Sequence, residues 1–197
     1  MPATISLNPM LTTSALNSFL VSTSGWIQGD FQEDPASAMW LASMTINNSV
    51  SAPLWTGMPV TETGYVSGTT ANGSNTVLPA TAATNITGWT VNDHAYAGII
   101  TTGNTVPLFY AGQTISVMRT GSNARIVVPI NAGAVAALSN VAVNTVVYWD
   151  FVNNALNNTG TGALPVKLLG IDQNSKVFTY TAGAANWTIG TAALIQI

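Results

Sequence analysis

Residues 113–130 read QTISVMRTGSNARIVVPI, which is two apolar runs joined by the short polar segment Thr-Gly-Ser-Asn. β-Branched residues recur in both runs, and such residues fit the pleated, half-buried surface of a β-sheet. Glycine and asparagine tolerate the positive φ angles of tight turns, so residues 120–123 predict a β-hairpin. This stretch therefore indicates antiparallel β-structure.

The same succession of strand and turn continues on both sides of this hairpin. Six further segments have strand character: 96–101, 105–110, 145–152, 164–171, 176–180 and 192–197. Residues 172–175 predict a second hairpin loop, and residues 132–138 are the one helical candidate. Turns about 8–12 residues apart, without a long 3.6-residue period, are typical of sandwiches and barrels. We therefore expect an all-β fold, an antiparallel β-sandwich or barrel.

The first 60 residues differ from the rest, because large apolar residues stand isolated among Asn, Ser, Thr and Pro. Trp26, Trp40 and Trp55 fall here, whereas disordered segments are poor in aromatic residues. We expect residues 1–65 to form an extended N-terminal arm or small subdomain that contacts neighbours, and residues 66–197 to form the body. The alternative is that the early segment supplies further strands to the same sheet.

Charged residues are few. Residues 1–118 carry a net negative charge, whereas residues 119–197 carry a net positive charge. They make up 6% of the 197 residues, against about 25% in ordinary soluble proteins. The polar surface is instead supplied by residues such as the 27 Thr and 19 Asn. Four scattered Lys and Arg cannot form the clustered basic surface that phosphate binding needs. We therefore expect no nucleic-acid partner.

The N-terminal segment and the uncharged windows both bear on localisation. Residues 1–10, MPATISLNPM, have neither the basic region nor the compact apolar run of a secretory signal. The uncharged window 126–149 is interrupted by proline, asparagine and glycine, so it does not predict a membrane-spanning helix. We expect folding in the cytoplasm and no membrane partner.

Residues suited to catalysis or metal binding are scarce. The chain has no Cys and one His, His94, which cannot fill a tetrahedral zinc site. The acidic cluster at 30–34, DFQED, lacks the alternating ligands and glycine of a calcium loop. It is better explained as a solvated turn or as a contact with a basic patch on a partner. We expect no enzyme activity, no metal and no cofactor.

Several segments resemble the capsid cement, or head decoration, proteins of tailed bacteriophages. They are spread along the chain: 2–6 (PATIS), 55–60 (WTGMPV), 98–112 (GIITTGNTVPLFYAG), 115–129 (ISVMRTGSNARIVVP), 147–151 (VYWDF), 164–167 (LPVK) and the closing strand after Trp187. These motifs are structural rather than catalytic, so the resemblance implies no active site.

The resemblance implies a virion protein that folds in the host bacterial cytoplasm and then binds the outer surface of the assembled head. Its expected partners are the major capsid protein and further copies of itself, with a trimer favoured over a dimer. It would clamp neighbouring capsid subunits and so stabilise the shell against packaged DNA.

The aromatic-bearing early segment is the expected capsid or subunit interface. Its apolar anchors and polar partners are Trp26, Asp30, Phe31, Glu33, Asp34, Trp40 and Trp55. A carbohydrate-binding or adhesin-type β module is the alternative, because such modules are also all-β and poor in charge. In that case Trp89 and Trp187, which stand among Gly and Thr, would be candidates for stacking on sugars, although packing in a core or an interface is the better explanation for both.

Overall fold

The computed structural model describes residues 26–32, 40–64, 75–92, 108–181 and 184–197, and confirms the all-β prediction. These ranges contain the strands β1 (Phe31–Gln32), β2 (Leu41–Ile46), β3 (Pro59–Thr63), β4 (Thr76–Pro79), β5 (Gly88–Thr90), β6 (Thr114–Arg119), β7 (Arg125–Pro129), β8 (Tyr148–Asp150), β9 (Ala155–Asn157), β10 (Lys167–Thr181) and β11 (Ala184–Gln196). The short helix expected at 132–138 is present, as a 3-10 turn at Ala132–Ala134 followed by α1 (Val135–Leu138). A second 3-10 turn lies at Ala83–Asn85.

Five strands close into a barrel in the order β2–β4–β3–β5–β6. Neighbouring strands are antiparallel except for β2 and β4, which run parallel where Thr45 lies opposite Thr76. Alternate side chains of a strand point to the same face, and in these strands that face is apolar. The resulting interior cluster includes Met44, Ile46, Val60, Val77, Ile115 and Val117.

A four-stranded antiparallel sheet, in the order β1–β7–β11–β10, packs beside the barrel. A separate apolar core fills the space between them and the small β8–β9 hairpin. At its centre, Trp89 of β5 meets Trp149 of β8 edge to face, with ring centroids 5.0 Å apart. Edge-to-face aromatic pairs stabilise a core beyond the area that they bury.

The hairpin predicted around residues 120–123 is wrong in its strand pairing. The turn itself exists, with positive φ at Gly121 and Asn123. However, β6 belongs to the barrel and β7 to the four-stranded sheet. The turn therefore connects the two sheets instead of joining paired strands.

The second predicted hairpin loop, at 172–175, is also wrong. These residues lie inside β10, where a register shift against β11 separates Asp172 from Ser175. The Ser175 hydroxyl donates to the Asp172 carboxylate at 2.6 Å, which holds the irregularity within the strand. β10 instead continues to Thr181, which lies opposite Ala184 of β11.

The strands β2 and β3, which come from the early part of the chain, are part of the barrel. They pair with β4, β5 and β6, which all follow residue 75. Residues 41–63 thus supply strands to the same sheet as the later residues. The expected strand at 96–101 lies outside the described residues, as does the first half of the one at 105–110.

Candidate interaction surface

Residues 26–32 connect the barrel with the β10–β11 hairpin. The backbone N–H of Lys176 donates to the carbonyl oxygen of Trp26 at 2.7 Å, and that of Gly29 donates to Val127 at 2.8 Å. On the barrel side, the backbone N–H of Asn92 donates to the carbonyl oxygen of Gly29 at 2.8 Å. The segment is therefore fixed on both sides by backbone hydrogen bonds.

Gln28 lies at the centre of this junction and is 1% exposed. Its Nε2 donates to the carbonyl oxygen of Thr56 at 2.9 Å, and its Oε1 accepts from the backbone N–H of Phe178 at 2.8 Å. A buried amide that left these groups unpaired would be costly. Here both polar groups of the side-chain amide have a hydrogen-bond partner.

Three of the residues predicted for the capsid interface belong to this junction. Trp26 is half-buried against Val127, Val177 and Ala192 on one face of the sheet, and Phe31 packs on the core between sheet and barrel. Asp30 is half-buried, and its Oδ1 accepts from Nδ2 of Asn92 at 2.9 Å. These three side chains therefore pack against, or hydrogen-bond with, other residues of the same chain.

The other two acidic residues predicted for the interface, Glu33 and Asp34, lie outside the described residues.

Trp55 lies at the end of the barrel where β3 and β6 begin, and is 8% exposed. Its ring centroid is 4.6 Å from that of Phe178 and 5.5 Å from that of Tyr180. Phe178 also meets Trp187 edge to face. This aromatic cluster packs the hairpin against the barrel, so Trp55 contributes to the internal packing of the chain.

The opposite end of the barrel carries an ion pair. Nε and Nη2 of Arg119 donate to the two carboxylate oxygens of Glu62 at 3.0 and 2.8 Å. Nδ2 of Asn75 donates to the same carboxylate. The hydrogen bond from Arg119 holds the pKa of Glu62 below its usual value against the opposing effect of burial, and Glu62 raises the pKa of Arg119.

Trp40 and Leu41 lie at this same end of the barrel. Leu41 begins β2 and lies opposite Met118, the residue before Arg119. Trp40 is 43% exposed, and Leu41 is exposed beside it. We call this end of the barrel, which carries Trp40, Leu41, Glu62, Asn75 and Arg119, the barrel mouth.

Trp40 lies at the barrel mouth, apart from Trp26, Asp30, Phe31 and Trp55, the other predicted interface residues that the structure describes. Among those predicted residues that the structure describes, Trp40 alone has an exposed side chain, while Trp55 is buried and the others are half-buried. Sequence reasoning did not identify Leu41, Glu62, Asn75 or Arg119. Their proximity follows from the pairing of distant strands, and no local signal in the sequence marks it.

The tip of the β8–β9 hairpin is a second exposed part of the surface, and its turn is held by hydrogen bonds to Asp150. Asp150 accepts hydrogen bonds from the backbone N–H groups of Val152 and Asn153 at 2.9 and 3.0 Å, and from Nδ2 of Asn153 and Asn131. These bonds, that from the Asn153 backbone foremost, lower the pKa of Asp150 to about 2. They fix a turn that presents Val152 to solvent, 89% exposed.

The described residues contain no group of three or more His, Asp or Glu side chains placed to hold a metal ion. Within the same ranges, no helix has the length and apolar character needed to cross a membrane. Comparison with protein-family models, with curated proteins and with solved structures gave no match.

Proposed function

We propose that this chain is a structural protein of a bacteriophage virion. It binds the outer surface of the assembled head and clamps neighbouring major capsid subunits, which stabilises the shell. The observation that carries the proposal is the pair of adjacent exposed apolar side chains, Trp40 and Leu41, held at the end of a closed barrel. The resemblance of the sequence segments to head decoration proteins supplies the kind of partner.

An exposed tryptophan near an arginine that is already ion-paired suits this role. Tryptophan and arginine are enriched among the residues that contribute most to protein interfaces, and Arg119 and Trp40 lie at the same end of the barrel. The charges of Glu62 and Arg119 are already paired with each other, so covering this surface leaves neither of them without a partner. Many weakly held copies on one shell together resist expansion, because their effects combine.

The proposed partners are the major capsid protein and further copies of this chain, with a trimer favoured over a dimer. The chain would fold in the host cytoplasm and bind the head after assembly. No chemical step is assigned to it, so the proposal is that it acts by binding and not as an enzyme.

The test is the number of copies in purified virions of the phage that encodes this chain. Quantitative mass spectrometry would compare it with the major capsid protein. A ratio near one, or a simple fraction such as one third, supports a protein that covers the whole shell. A few copies per particle, or none, would contradict the proposal and favour the carbohydrate-binding alternative, for which quenching of tryptophan fluorescence by sugars is the matching measurement.

A further inference from the structure

We propose that residues 26–32 form a strap that opens and closes as one unit while the barrel and the four-stranded sheet stay folded and joined. The strap lies between the barrel and the sheet and hydrogen-bonds to both of them. It is a conformational device of the chain itself, so the proposal holds whether or not the chain binds a phage head.

The strap links two strand edges of the sheet. Its first part runs beside β10, where Ile27 forms a parallel bridge with Lys176. Its last part is β1, which pairs with β7 where Phe31 lies opposite Ile126. Because β10 and β7 are the two neighbours of β11, the strap joins the outer edges of these three strands.

The barrel and the sheet are held together by contacts that do not involve the strap. β11 pairs with both β10 and β7, and the barrel closes on its own five strands. Trp55 contacts Phe178 of β10, and Trp89 of the barrel meets Trp149 of β8. These contacts remain when the strap leaves, so its release does not require the chain to unfold.

Release of the strap costs hydrogen bonds but restores backbone freedom. Fixing the backbone of one residue costs about as much free energy as one hydrogen bond contributes on balance. The residues of the strap regain this freedom when it opens, so opening requires less free energy than global unfolding. We call the backbone N–H groups that donate to the strap the strap amides, which are those of Asn92, Val127, Lys176 and Phe178.

The strap opens as a unit because its central contacts depend on one another. Gln28 is buried, and its side-chain amide is bonded to Thr56 and to Phe178. Gly29 beside it packs so closely that a Cβ at this position would overlap the side chain of Thr56. A partial withdrawal would leave the buried amide of Gln28 without its partners, which is costly. Positions between fully seated and released are therefore poorly populated.

Native-state hydrogen exchange of the full chain, followed by NMR, tests the strap. The reference is the backbone N–H of Thr90, which is buried and donates to Met58 within the barrel at 2.9 Å. The strap amides should share one protection factor, at least about 10-fold lower than that of Thr90. Their exchange should also depend only weakly on urea, because opening the strap exposes little surface.

A disulfide that locks the strap provides the matched control. Ile27→Cys combined with Lys176→Cys places two thiols at bridged positions in a chain without cysteine. Adjacent strands lie about 4.8 Å apart, which is within the range of a disulfide. In the oxidised variant the strap amides should be protected as strongly as Thr90, and reduction should restore the difference.

Three results would overturn the proposal. If the strap amides of the unmodified chain are protected as strongly as Thr90, the segment is released only when the whole chain unfolds. If the strap amides have unrelated protection factors, the segment frays residue by residue and is not a unit. If the disulfide forms and leaves their exchange unchanged, they exchange by an opening other than release of the strap.

Discussion

The backbone N–H of Phe178 donates to Oε1 of Gln28 at 2.8 Å, across 150 positions of the sequence. The same side chain donates through Nε2 to the carbonyl oxygen of Thr56, which lies in the turn that leads into β3. One buried amide thus joins the segment at 26–32, the barrel and the long hairpin. Both partners are backbone groups that are remote in sequence from Gln28, so the two hydrogen bonds depend on how these distant elements are placed.

We expect Gln28→Ala to destabilise the fold by about 2–4 kcal/mol. The substitution leaves the Phe178 N–H and the Thr56 carbonyl without their partner, and each buried unsatisfied group costs about 1–3 kcal/mol. The free energy of unfolding would be measured by urea denaturation. Gln173→Ala is the control, because Gln173 is exposed on β10 and surface changes usually stay within about 0.5 kcal/mol. Equal losses in the two variants would contradict the structural role of Gln28.

Gly57→Ala should destabilise the protein more than Gly121→Ala does. Both glycines have positive φ, +81° and +90°, so both alanines incur backbone strain of about 1–2 kcal/mol. A Cβ on Gly57 would also lie 2.8 Å from Cγ of Gln28, whereas one on Gly121 meets nothing within 4 Å. We expect this close approach to add about 1–3 kcal/mol.

Differential scanning calorimetry and urea unfolding of the two glycine variants would separate these effects. If both variants lose the same stability, backbone strain alone matters and the close packing at Gly57 contributes nothing.

Local sequence patterns were sufficient to predict strands but not their partners. Residues 120–123 and 172–175 both contain turn-forming residues, yet the first segment connects two sheets and the second lies within β10. Turn chemistry determines where a chain is able to bend. Pairing depends on which distant strand offers a matching edge, and nothing in the adjacent residues reports this.

The candidate surface could not be predicted from local sequence for the same reason. Trp40 and Trp55 look alike in the sequence, since both stand in the early segment next to a leucine, Leu41 or Leu54. The structure exposes Trp40 and buries Trp55 because the β10–β11 hairpin, more than 100 positions later in the chain, supplies Phe178 and Tyr180. Gln28 likewise gives no local sign of burial, because its partners come from remote elements.

Asp150 should make stability depend on pH in the acid range. Its pKa is lowered to about 2 by hydrogen bonds, first of all from the backbone N–H of Asn153, whereas an unperturbed aspartate has a pKa of about 3.9. Because the folded-state pKa is the lower one, the stabilisation is full above about pH 4 and is lost as the pH falls through about 2.

Asp150→Asn should remove this dependence. The stability difference between the unmodified chain and the variant should be greatest near neutral pH and shrink between about pH 4 and 2. Carbonyl-detected NMR titration of the Asp150 carboxyl gives the midpoint directly. A midpoint near the unperturbed value, or a stability difference that does not change with pH, would show that the turn is not held by the ionised carboxylate.

The Glu62–Arg119 pair should contribute little to folding despite its two hydrogen bonds. Arg119 is 39% exposed, so water screens the interaction, and exposed ion pairs contribute about 0.2–1 kcal/mol. A double-mutant cycle with Glu62→Gln and Arg119→Gln, measured by urea unfolding, should give a coupling below about 1 kcal/mol that falls at high salt.

Because Arg119 lowers the pKa of Glu62, the coupling should be present at neutral pH and disappear as acid protonates Glu62. A coupling above about 2 kcal/mol that is insensitive to salt would mean that the pair is structural, and Arg119 would then be needed for the barrel itself and not free to orient a partner.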